Sequence, residues 1–422
     1  MPTTVFINIK QLVNVRSRTR LLHGKEMAEL PCTDNAYLIV EDGLITETGS
    51  MDAFRYQVSD FNDHINAAGC LVLPCWCDSH THLVFPASRE DEFVDKIRGA
   101  GYAEIAAKGG GILNSARKLA AMSEDALFIA AWKRLGEIAA TGTGAVEIKS
   151  GYGLSVETEL KMLRVIKRLK EKSSLSIKAT FLGAHAYPLG YKDNHPAYIR
   201  LLVEEMLPVI AREKLADYID VFCETGFFSP EETEQVCRAG RQAGLQPRLH
   251  VNQLNSIGGI ETGIKTGAVS LDHLETLTAA EIELLSGAKA LPTGETWQGV
   301  CTLLPTAAFF LRMPFQPARA LLEAGCAVAL ASDYNPGSSP SGNMNFVVSL
   351  ACIQMKMLPA EAINAATING AYALELGDVL GSITAGKKAN LILTKPVPSL
   401  AYLPYSFGSC LVDKVMISGS WL

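Results

Sequence analysis

The sequence contains no long basic run and no long apolar run, and each absence excludes a class of function. Its 38 Lys and Arg are outnumbered by 44 Asp and Glu, so nucleic acid is not an expected partner. The longest apolar stretches, such as Val300 to Leu311, fall far short of the roughly 18 residues that a membrane-spanning helix needs. The first residues also lack the order of charged, apolar and small residues that is typical of a signal peptide. We therefore expect a cytoplasmic protein that binds neither nucleic acid nor a membrane.

Cysteine is present, but its spacing is not typical of disulfides or of a structural zinc site. The ten cysteines are scattered, and only Cys75 and Cys77 lie close together. A Cys-x-Cys pair can bind a metal, but no second pair accompanies this one. Reduced core thiols are expected in a cytosolic chain of this size, so we interpret Cys75 and Cys77 as packing residues.

The chain is too long for one small core, and its two ends differ from its middle. For 422 residues, one large domain plus a smaller one is expected. The N-terminal part has an apolar run at Thr4 to Ile9 and an Asp-Gly hairpin within Tyr37 to Thr48. The C-terminal part has similar runs at Ala389 to Leu393 and Lys414 to Ile417. We predict a small β-sandwich domain built from residues 1–70 and 384–422.

Residues 71–383 alternate between short apolar runs and helix-period segments, which predicts an α/β fold of the (β/α)8 TIM-barrel type. The clearest helix follows Ser155, a good N-cap, and has apolar residues on one face from Leu160 to Leu169. A doubly wound sheet is less favoured, because no glycine-rich phosphate motif follows the first strand and the triplet Gly109 to Gly111 is typical of a lid or turn. The expected strands are Leu71–Pro74, Ala145–Ile148, Ile177–Leu182, Tyr218–Cys223, Arg248–Val251, Ala268–Leu271, Val300–Leu304 and Ala327–Ala331.

Histidines gather at the carboxyl ends of these predicted strands. A lone histidine is usually a satisfied core or surface residue, but a group at matching positions indicates a metal site. The carboxyl ends of barrel strands meet at one mouth, where active sites are built. The residues concerned are His80, His82, His185, His250 and His273, together with Asp333.

The spacing of His80 and His82 has a geometric meaning. Residues two apart on a strand point to the same side, so both imidazoles can bind one ion. His250 and Asp333 would complete a set of three nitrogen ligands and one oxygen, which suits zinc and also ferrous iron. Such an ion makes water nucleophilic near neutral pH, so the sequence predicts a metal-dependent hydrolase.

The stretch from Leu73 to His82 resembles the first-strand signature of the amidohydrolase superfamily, and the chain as a whole is similar to its imidazolonepropionase family. The His-x-His pair is typical of the whole superfamily, whereas Lys-Ser-Gly-Tyr-Gly at 149–153 and Asn-Pro-Gly-Ser at 335–338 are specific to the family. The other matching stretches span nearly the whole chain in order: His80–Phe85, Ser88–Glu90, Gly109–Leu113, Glu157–Arg164, Phe181–Ala186, Asp272–Glu275 and Asp333–Pro340.

This resemblance implies a fold, a reaction and a cofactor. The fold is a (β/α)8 barrel with a β-sandwich from both termini, and the reaction is hydrolysis of 4-imidazolone-5-propanoate to N-formimidoyl-L-glutamate in histidine degradation. The ligands of one Zn²⁺, Fe²⁺ or Fe³⁺ ion per subunit are implied to be His80, His82, His250 and Asp333. His273 is expected to polarise the attacked carbonyl, and either Asp333 or His273 to act as the general base. A homodimer is also expected.

The resemblance further implies a set of substrate-binding residues: Arg89, Tyr152, His185, Gln253, Asn335, Gly337 and Ser338. A bidentate guanidinium suits the propanoate carboxylate, although a surface ion pair of Arg89 with Glu90 or Glu92 is the alternative. Tyr102 would either reach the substrate or pack in the core. Gln253 stands where some members carry Glu, and a glutamine can bind the ring but cannot accept a proton.

Two features of the sequence depart from the pattern of related proteins, and two rival functions remain open. No lysine is near Cys223-Glu224 in the sequence, whereas binuclear relatives carry a carbamylated lysine there, so one metal is expected. The segment from Ala288 to Val300 is longer than usual and is interpreted as a local insertion. A mononuclear deaminase of a nitrogen heterocycle would share the metal and the fold, but it has little use for Arg89. A metal-binding barrel without turnover is the rival from another class.

Overall fold

The computed structural model describes residues 3–99 and 110–422. Its strands are β1 (Thr3–Val13), β2 (Cys32–Glu41), β3 (Leu44–Ser50), β4 (Asp63–Asn66), β5 (Leu71–Pro74), β6 (Trp76–Asp78), β7 (Thr143–Lys149), β8 (Ser176–Ala184), β9 (Tyr218–Cys223), β10 (Gln246–Val251), β11 (Ser270–His273), β12 (Val300–Leu303), β13 (Val328–Leu330), β14 (Leu391–Thr394), β15 (Val412–Ile417) and β16 (Ser420–Trp421). The α-helices of this part are α1 (Glu90–Ile97), α2 (Gly111–Ala121), α3 (Glu124–Ala140), α4 (Val156–Lys172), α5 (His195–Arg200), α6 (Leu207–Glu213), α7 (Pro230–Gln242), α8 (Gly259–Thr266), α9 (Ala279–Leu285), α10 (Pro305–Leu311), α11 (Ala318–Glu323), α12 (Met344–Ile353), α13 (Pro359–Ala366), α14 (Ile368–Ala373) and α15 (Tyr402–Tyr405).

Strands β6 to β13 form a parallel sheet in chain order, which is the order of a (β/α)8 barrel. Beyond the last paired residues, the two edges meet through backbone hydrogen bonds from Asp333 N to His80 O at 3.0 Å and from His82 N to Tyr334 O at 2.9 Å. The sheet therefore closes at the end where the histidines lie. The predicted fold class is confirmed.

The strands of the barrel are buried on both faces, and the helices pack around them with one apolar face. In β7, β9 and β11 every residue is buried, as expected of parallel strands covered on both sides. Helix α4 begins as predicted, since Ser155 caps it by accepting from Thr158 N, and Leu160 and Leu169 are buried. Lysines occupy its last turn, where their positive charge interacts favourably with the negative end of the helix dipole.

A second, mixed sheet is built from both ends of the chain, where the sequence predicts a small β-sandwich domain. Its strand order is β16-β15-β14-β5-β1-β2-β3, with β4 paired to β1. The β2–β3 hairpin turns at Asp42 (φ 50°) and Gly43 (φ 80°), so the Asp-Gly pair supplies the two left-handed residues of a tight hairpin. Phe6, Leu38 and Met416 join in the core of this sheet.

The first barrel strand is not the one that the sequence predicts. Leu71–Pro74 lies in the mixed sheet, where it pairs with β14 and β1, and Trp76–Asp78 is the strand that pairs with β7. The whole stretch from Leu71 to Asp78 is buried, so apolar character alone does not show where the chain passes from one sheet to the other. Cys75, at this crossing, and Cys77 are buried, and burial raises the pKa of the Cys77 thiol to about 12. This agrees with packing residues.

The segment from Ala288 to Val300 is a loop that leads into β12. Trp297 anchors it, because its indole is buried and Nε1 donates to Ala268 O at 2.7 Å. Within the described residues, no helix has both the length and the apolar character that a membrane span requires.

Candidate active site

A cavity of about 490 Å³ opens at the carboxyl ends of the barrel strands. The predicted site residues that line it are His82, Arg89, Tyr152, His185, His250, Gln253, His273, Asp333, Asn335, Gly337 and Ser338. His80 lies beneath them and is fully buried. The strand-end rule therefore brings the predicted residues together, while Tyr102 and Gly109 lie outside the described residues.

Three buried histidines form a group that can hold a metal ion. Ligand atoms of His80, His82 and His250 lie within 4.8 Å of one another, and the Nε2 atoms of His82 and His250 are 3.4 Å apart. Asp333 Oδ1 is 3.6 Å from His80 Nε2 and 3.5 Å from His82 Nε2. Ligands of a tetrahedral ion with bonds of about 2.1 Å lie about 3.4 Å apart, so these separations fit one ion.

Buried carboxylates on two other barrel strands, β11 and β9, orient two of these rings. His80 Nδ1 is 2.7 Å from Asp272 Oδ2, and His250 Nδ1 is 3.1 Å from Asp220 Oδ1, so each Nε2 faces the group. His80 Nε2 is a buried nitrogen without a hydrogen-bond partner among the described residues. Burial lowers the pKa of both imidazoles, which keeps them neutral as metal ligands must be. The donor set fits a bound metal.

A buried ion-pair network lies next to this group. Lys149 Nζ is 2.7 Å from Glu147 and 2.8 Å from Asp220, and the three side chains are fully buried. Burial lowers the pKa of Lys149, but the carboxylates of Asp220, Glu147 and Asp272 outweigh it, so the pKa is raised. Lys149 thus reaches strand β9 in space although no lysine is near its end in sequence. As a paired ammonium, it is not a free amine for carbamylation.

The sequence interpretation gave no role to Asp220, Asp272 and Lys149. One signal was available, because a charged residue inside an otherwise apolar, fully buried strand must have a partner. Asp220 interrupts β9 and Asp272 interrupts β11 in this way, and Lys149 belongs to the family-specific stretch.

The turn after β13 fixes Asp333. Asp333 has φ 53°, and its Oδ2 accepts from Ser338 Oγ at 3.0 Å. Asn335 Oδ1 accepts from the backbone N of Gly337 and of Ser338 at 2.7 and 2.8 Å, and its Nδ2 donates to Asp333 O. Burial raises the pKa of Asp333 to about 6, and His273 acts in the opposite direction. The amide of Asn335 is thus occupied by this turn.

His273 is held by a second buried carboxylate. Its Nδ1 is 3.3 Å from Glu275 Oε1, which also accepts from Gln316 Nε2 at 2.9 Å. Burial lowers the pKa of His273, but the Glu275 carboxylate outweighs it and the pKa is raised. The centre of its ring lies 5.2 Å from that of His250 and 5.7 Å from that of His80, so His273 stands next to the group of histidines.

The remaining predicted residues form a path leading away from the histidines. The Tyr152 ring lies 5.9 Å from that of His82 and 5.6 Å from that of His185. His185 Nδ1 donates to Gly151 O at 3.0 Å, which leaves Nε2 for the cavity, and burial lowers its pKa to about 4. The guanidinium of Arg89 lies 5.7 Å from the centre of the Tyr152 ring.

Arg89 does not form the alternative ion pair within the described residues. Neither Glu90 nor Glu92 makes a salt bridge with it, and its guanidinium donates instead to Ser115 Oγ, from Nε at 3.0 Å and Nη2 at 2.8 Å. Glu92 also lines the cavity, but its Oε1 accepts from Gly111 N at 2.9 Å. A cation therefore faces the cavity beyond Tyr152.

Some known proteins are similar to this chain over nearly its whole length. The amidohydrolase family profile matches residues 71–422. An imidazolonepropionase from Flavobacterium johnsoniae is 55% identical over 417 residues, which cover 99% of each chain. The chain belongs to the imidazolonepropionase family. The predicted family is thereby confirmed.

Solved structures that resemble this chain include deaminases with the same architecture. Guanine deaminase from C. acetobutylicum, with guanine bound in its active site, has a TM-score of 0.71 at 15% identity, with 100% of both chains covered. An adenosine deaminase from Xanthomonas campestris with bound zinc has a TM-score of 0.68 at 17% identity, covering 99% of this chain and 92% of the other. At such identity the likeness shows the fold alone.

Proposed function

We infer that this chain is an imidazolonepropionase, which hydrolyses the cyclic amide C–N bond of 4-imidazolone-5-propanoate to give N-formimidoyl-L-glutamate. One observation carries the substrate: the Arg89 guanidinium faces the cavity without a carboxylate partner among the described residues, and Tyr152 separates it from the buried histidines. A small ring with an acidic arm fits this order of groups, because the ring reaches the histidines while the arm meets the cation. A deaminase for an uncharged base would leave the cation unused.

We propose that one zinc or iron ion is held by His80, His82, His250 and Asp333. The separations between their ligand atoms and the unpartnered Nε2 of His80 support this assignment. When bound, such an ion supplies Lewis acidity, which makes water nucleophilic near neutral pH and polarises a carbonyl.

The residues around the ion would handle protons and position the ring. Water adds to the imidazolone carbonyl carbon, and the ring C–N bond breaks. Asp333 accepts a proton from the water and returns it to the departing nitrogen, while His273 Nε2 donates a hydrogen bond to the carbonyl oxygen. Tyr152 and His185 contact the ring, and Gln253 hydrogen-bonds it without taking a proton. The fixed orientation of Asp333, whose Oδ2 accepts from Ser338 Oγ at 3.0 Å, supports this role.

A direct assay tests the reaction and its rivals together. The purified protein is reconstituted with zinc or with ferrous iron, and the loss of substrate absorbance is followed. We expect turnover with at least one metal and no ammonia release from purines or pyrimidines. Ammonia release without loss of the imidazolone would favour the deaminase, and bound metal without any hydrolysis would favour the inactive barrel.

A further inference from the structure

Arg89 is held from one side by a buried hydroxyl that no motif singled out. We propose that Ser115 is a positioning residue, which turns the Arg89 guanidinium so that its free edge binds the carboxylate of the substrate arm. This inference rests on the proposed function, because it names how the acidic arm is selected. It does not require Ser115 to touch the substrate.

The hydrogen bonds of Ser115 determine which edge of the guanidinium stays free. Ser115 lies on α2 and is 3% exposed. Its Oγ accepts from both Nε and Nη2 of Arg89, so it occupies the side edge of the guanidinium. Among the described residues, Ser115 leaves two N–H groups of Nη1 and one of Nη2. One N–H of each nitrogen forms the end edge, which matches a carboxylate in a bidentate pair.

Gly337 bounds the same guanidinium from the other side. A Cβ placed on Gly337 would lie 2.7 Å from Arg89 Nη1, which is closer than real contacts allow. The absence of a side chain at Gly337 therefore gives Nη1 its place at the cavity. Any larger residue would displace the arginine rather than the backbone, because the flexible side chain moves at the lower cost. Ser115 and Gly337 thus define a slot for Arg89, and the Tyr152 ring lies beside it.

The local charge favours an anion at the free edge. Lys96 also lines the cavity, and its Nζ lies 3.4 Å from Gly337 O. Glu92 is the acidic side chain that lines the same end among the described residues, and the backbone N–H of Gly111 binds its Oε1. Among the described residues, two cations against one engaged carboxylate give this end of the cavity a net positive charge.

The test compares two substrates in variants that differ at the slot. One substrate is 4-imidazolone-5-propanoate and the other is its propanamide, which has the same ring and an uncharged arm. For Ser115→Ala we expect KM for the acid to rise about tenfold, as for the loss of one partner of a charged group, with kcat within about twofold. KM for the amide stays the same, since the amide makes no ion pair with Arg89.

Gly337→Ala keeps the hydroxyl but moves Nη1, so it should raise KM for the acid by a larger factor than KM for the amide. Asn114→Ala, one position before Ser115 on α2, is the matched control and should leave both substrates unaffected. Melting temperatures confirm that each variant is folded. An equal rise in KM for both substrates would mean that Ser115 only supports the structure, and this would overturn the proposal.

Arg89→Met separates the proposal from the function on which it rests. If Arg89→Met raises KM for the acid while Ser115→Ala does not, the substrate assignment stands and the role of Ser115 is wrong. If Arg89→Met leaves KM for the acid unchanged, the assignment of the acidic arm to Arg89 is itself wrong. If the unaltered protein does not hydrolyse the imidazolone at all, the proposed reaction itself is wrong.

Discussion

The orientation of two histidine rings at the barrel mouth depends on buried charged residues that lie beneath them. His80 and His250 each meet a carboxylate through Nδ1, and those carboxylates, Asp272 and Asp220, are themselves paired with buried cations. A metal-binding histidine keeps its ring orientation and its proton on Nδ1 through such a partner. We therefore expect the strength of metal binding at the proposed site to depend partly on residues that do not contact the metal.

We predict that Asp272→Asn weakens metal binding about 10- to 100-fold, because the amide no longer attracts the Nδ1 proton of His80. Competition with a chromophoric chelator measures the affinity for zinc. Asp413→Asn, an exposed change of the same chemical kind in β15, should leave the affinity unchanged. Equal affinities in Asp272→Asn and the unaltered protein would show that Asp272 has no such role.

At the scale of elements, helix α4 holds the loop that carries Tyr152. The fully buried carboxylate of Glu159, in its first turn, accepts from the backbone N of Gly151 at 3.0 Å, Gly153 at 2.6 Å and Leu154 at 3.2 Å. Gly153 lies so close that a Cβ there would be 2.4 Å from Glu159 N. The loop after β7 and the start of α4 therefore form one unit.

We expect Glu159→Gln to cost about 1–3 kcal/mol of stability, because the amide turns an N–H group toward backbone N–H donors in a buried site. Chemical denaturation, followed by circular dichroism, should show a lower midpoint. Glu157→Gln is the matched control in the same helical turn, since Glu157 is exposed. A midpoint that falls equally in both variants would point to the helix dipole and not to the loop.

Helix α4 also shows what a sequence pattern can and cannot predict. The pattern predicts where α4 begins and which face is buried, but it treats Glu157 and Glu159 alike, as acidic residues near a helix start. Likewise, the strand-end rule places His80, His82, His250 and Asp333 in one site, because strand direction fixes where these residues meet. It says nothing of Ser115, whose role depends on the place of α2 in the tertiary structure.

Some features could not be predicted, because they depend on contacts between residues that are distant in sequence. Leu71–Pro74 was expected in the barrel because buried strands of either sheet are equally apolar, and only hydrogen bonding separates them. Lys149 received no role because a charged residue is normally exposed, and its partners come from β7, β9 and β11, which are distant in sequence. Asn335 lines the cavity as expected, but the hydrogen bonds of its amide within its own turn follow only from the tertiary structure.

At the scale of the whole molecule, the proposed ion joins strands from opposite edges of the barrel sheet. His80 and His82 follow β6, Asp333 follows β13, and His250 lies in β10. An ion held by all of them would link the first and last strands where the barrel closes. Metal binding and global stability should therefore be coupled.

We predict that removing the metal lowers the melting temperature and that zinc restores it. A ligand present at about 100 times its Kd stabilises the folded state by about 2.7 kcal/mol. Differential scanning calorimetry of chelator-treated and reloaded protein measures the shift. In His250→Ala, the same addition should produce a much smaller shift. Identical melting curves for metal-free and zinc-loaded protein would contradict a metal at this site.

The mixed sheet that joins both ends of the chain has a consequence for synthesis on the ribosome. Strand β5 ends at Pro74, and its antiparallel partner β14 begins at Leu391, roughly 320 residues later. At about 5–20 residues per second, roughly 16–60 s pass before the partner has been made. During that time β5 has an unpaired edge, which is a template for strands of other nascent chains. We expect the nascent chain to be most prone to aggregation in this interval, after β5 has been made and before β14 leaves the ribosome.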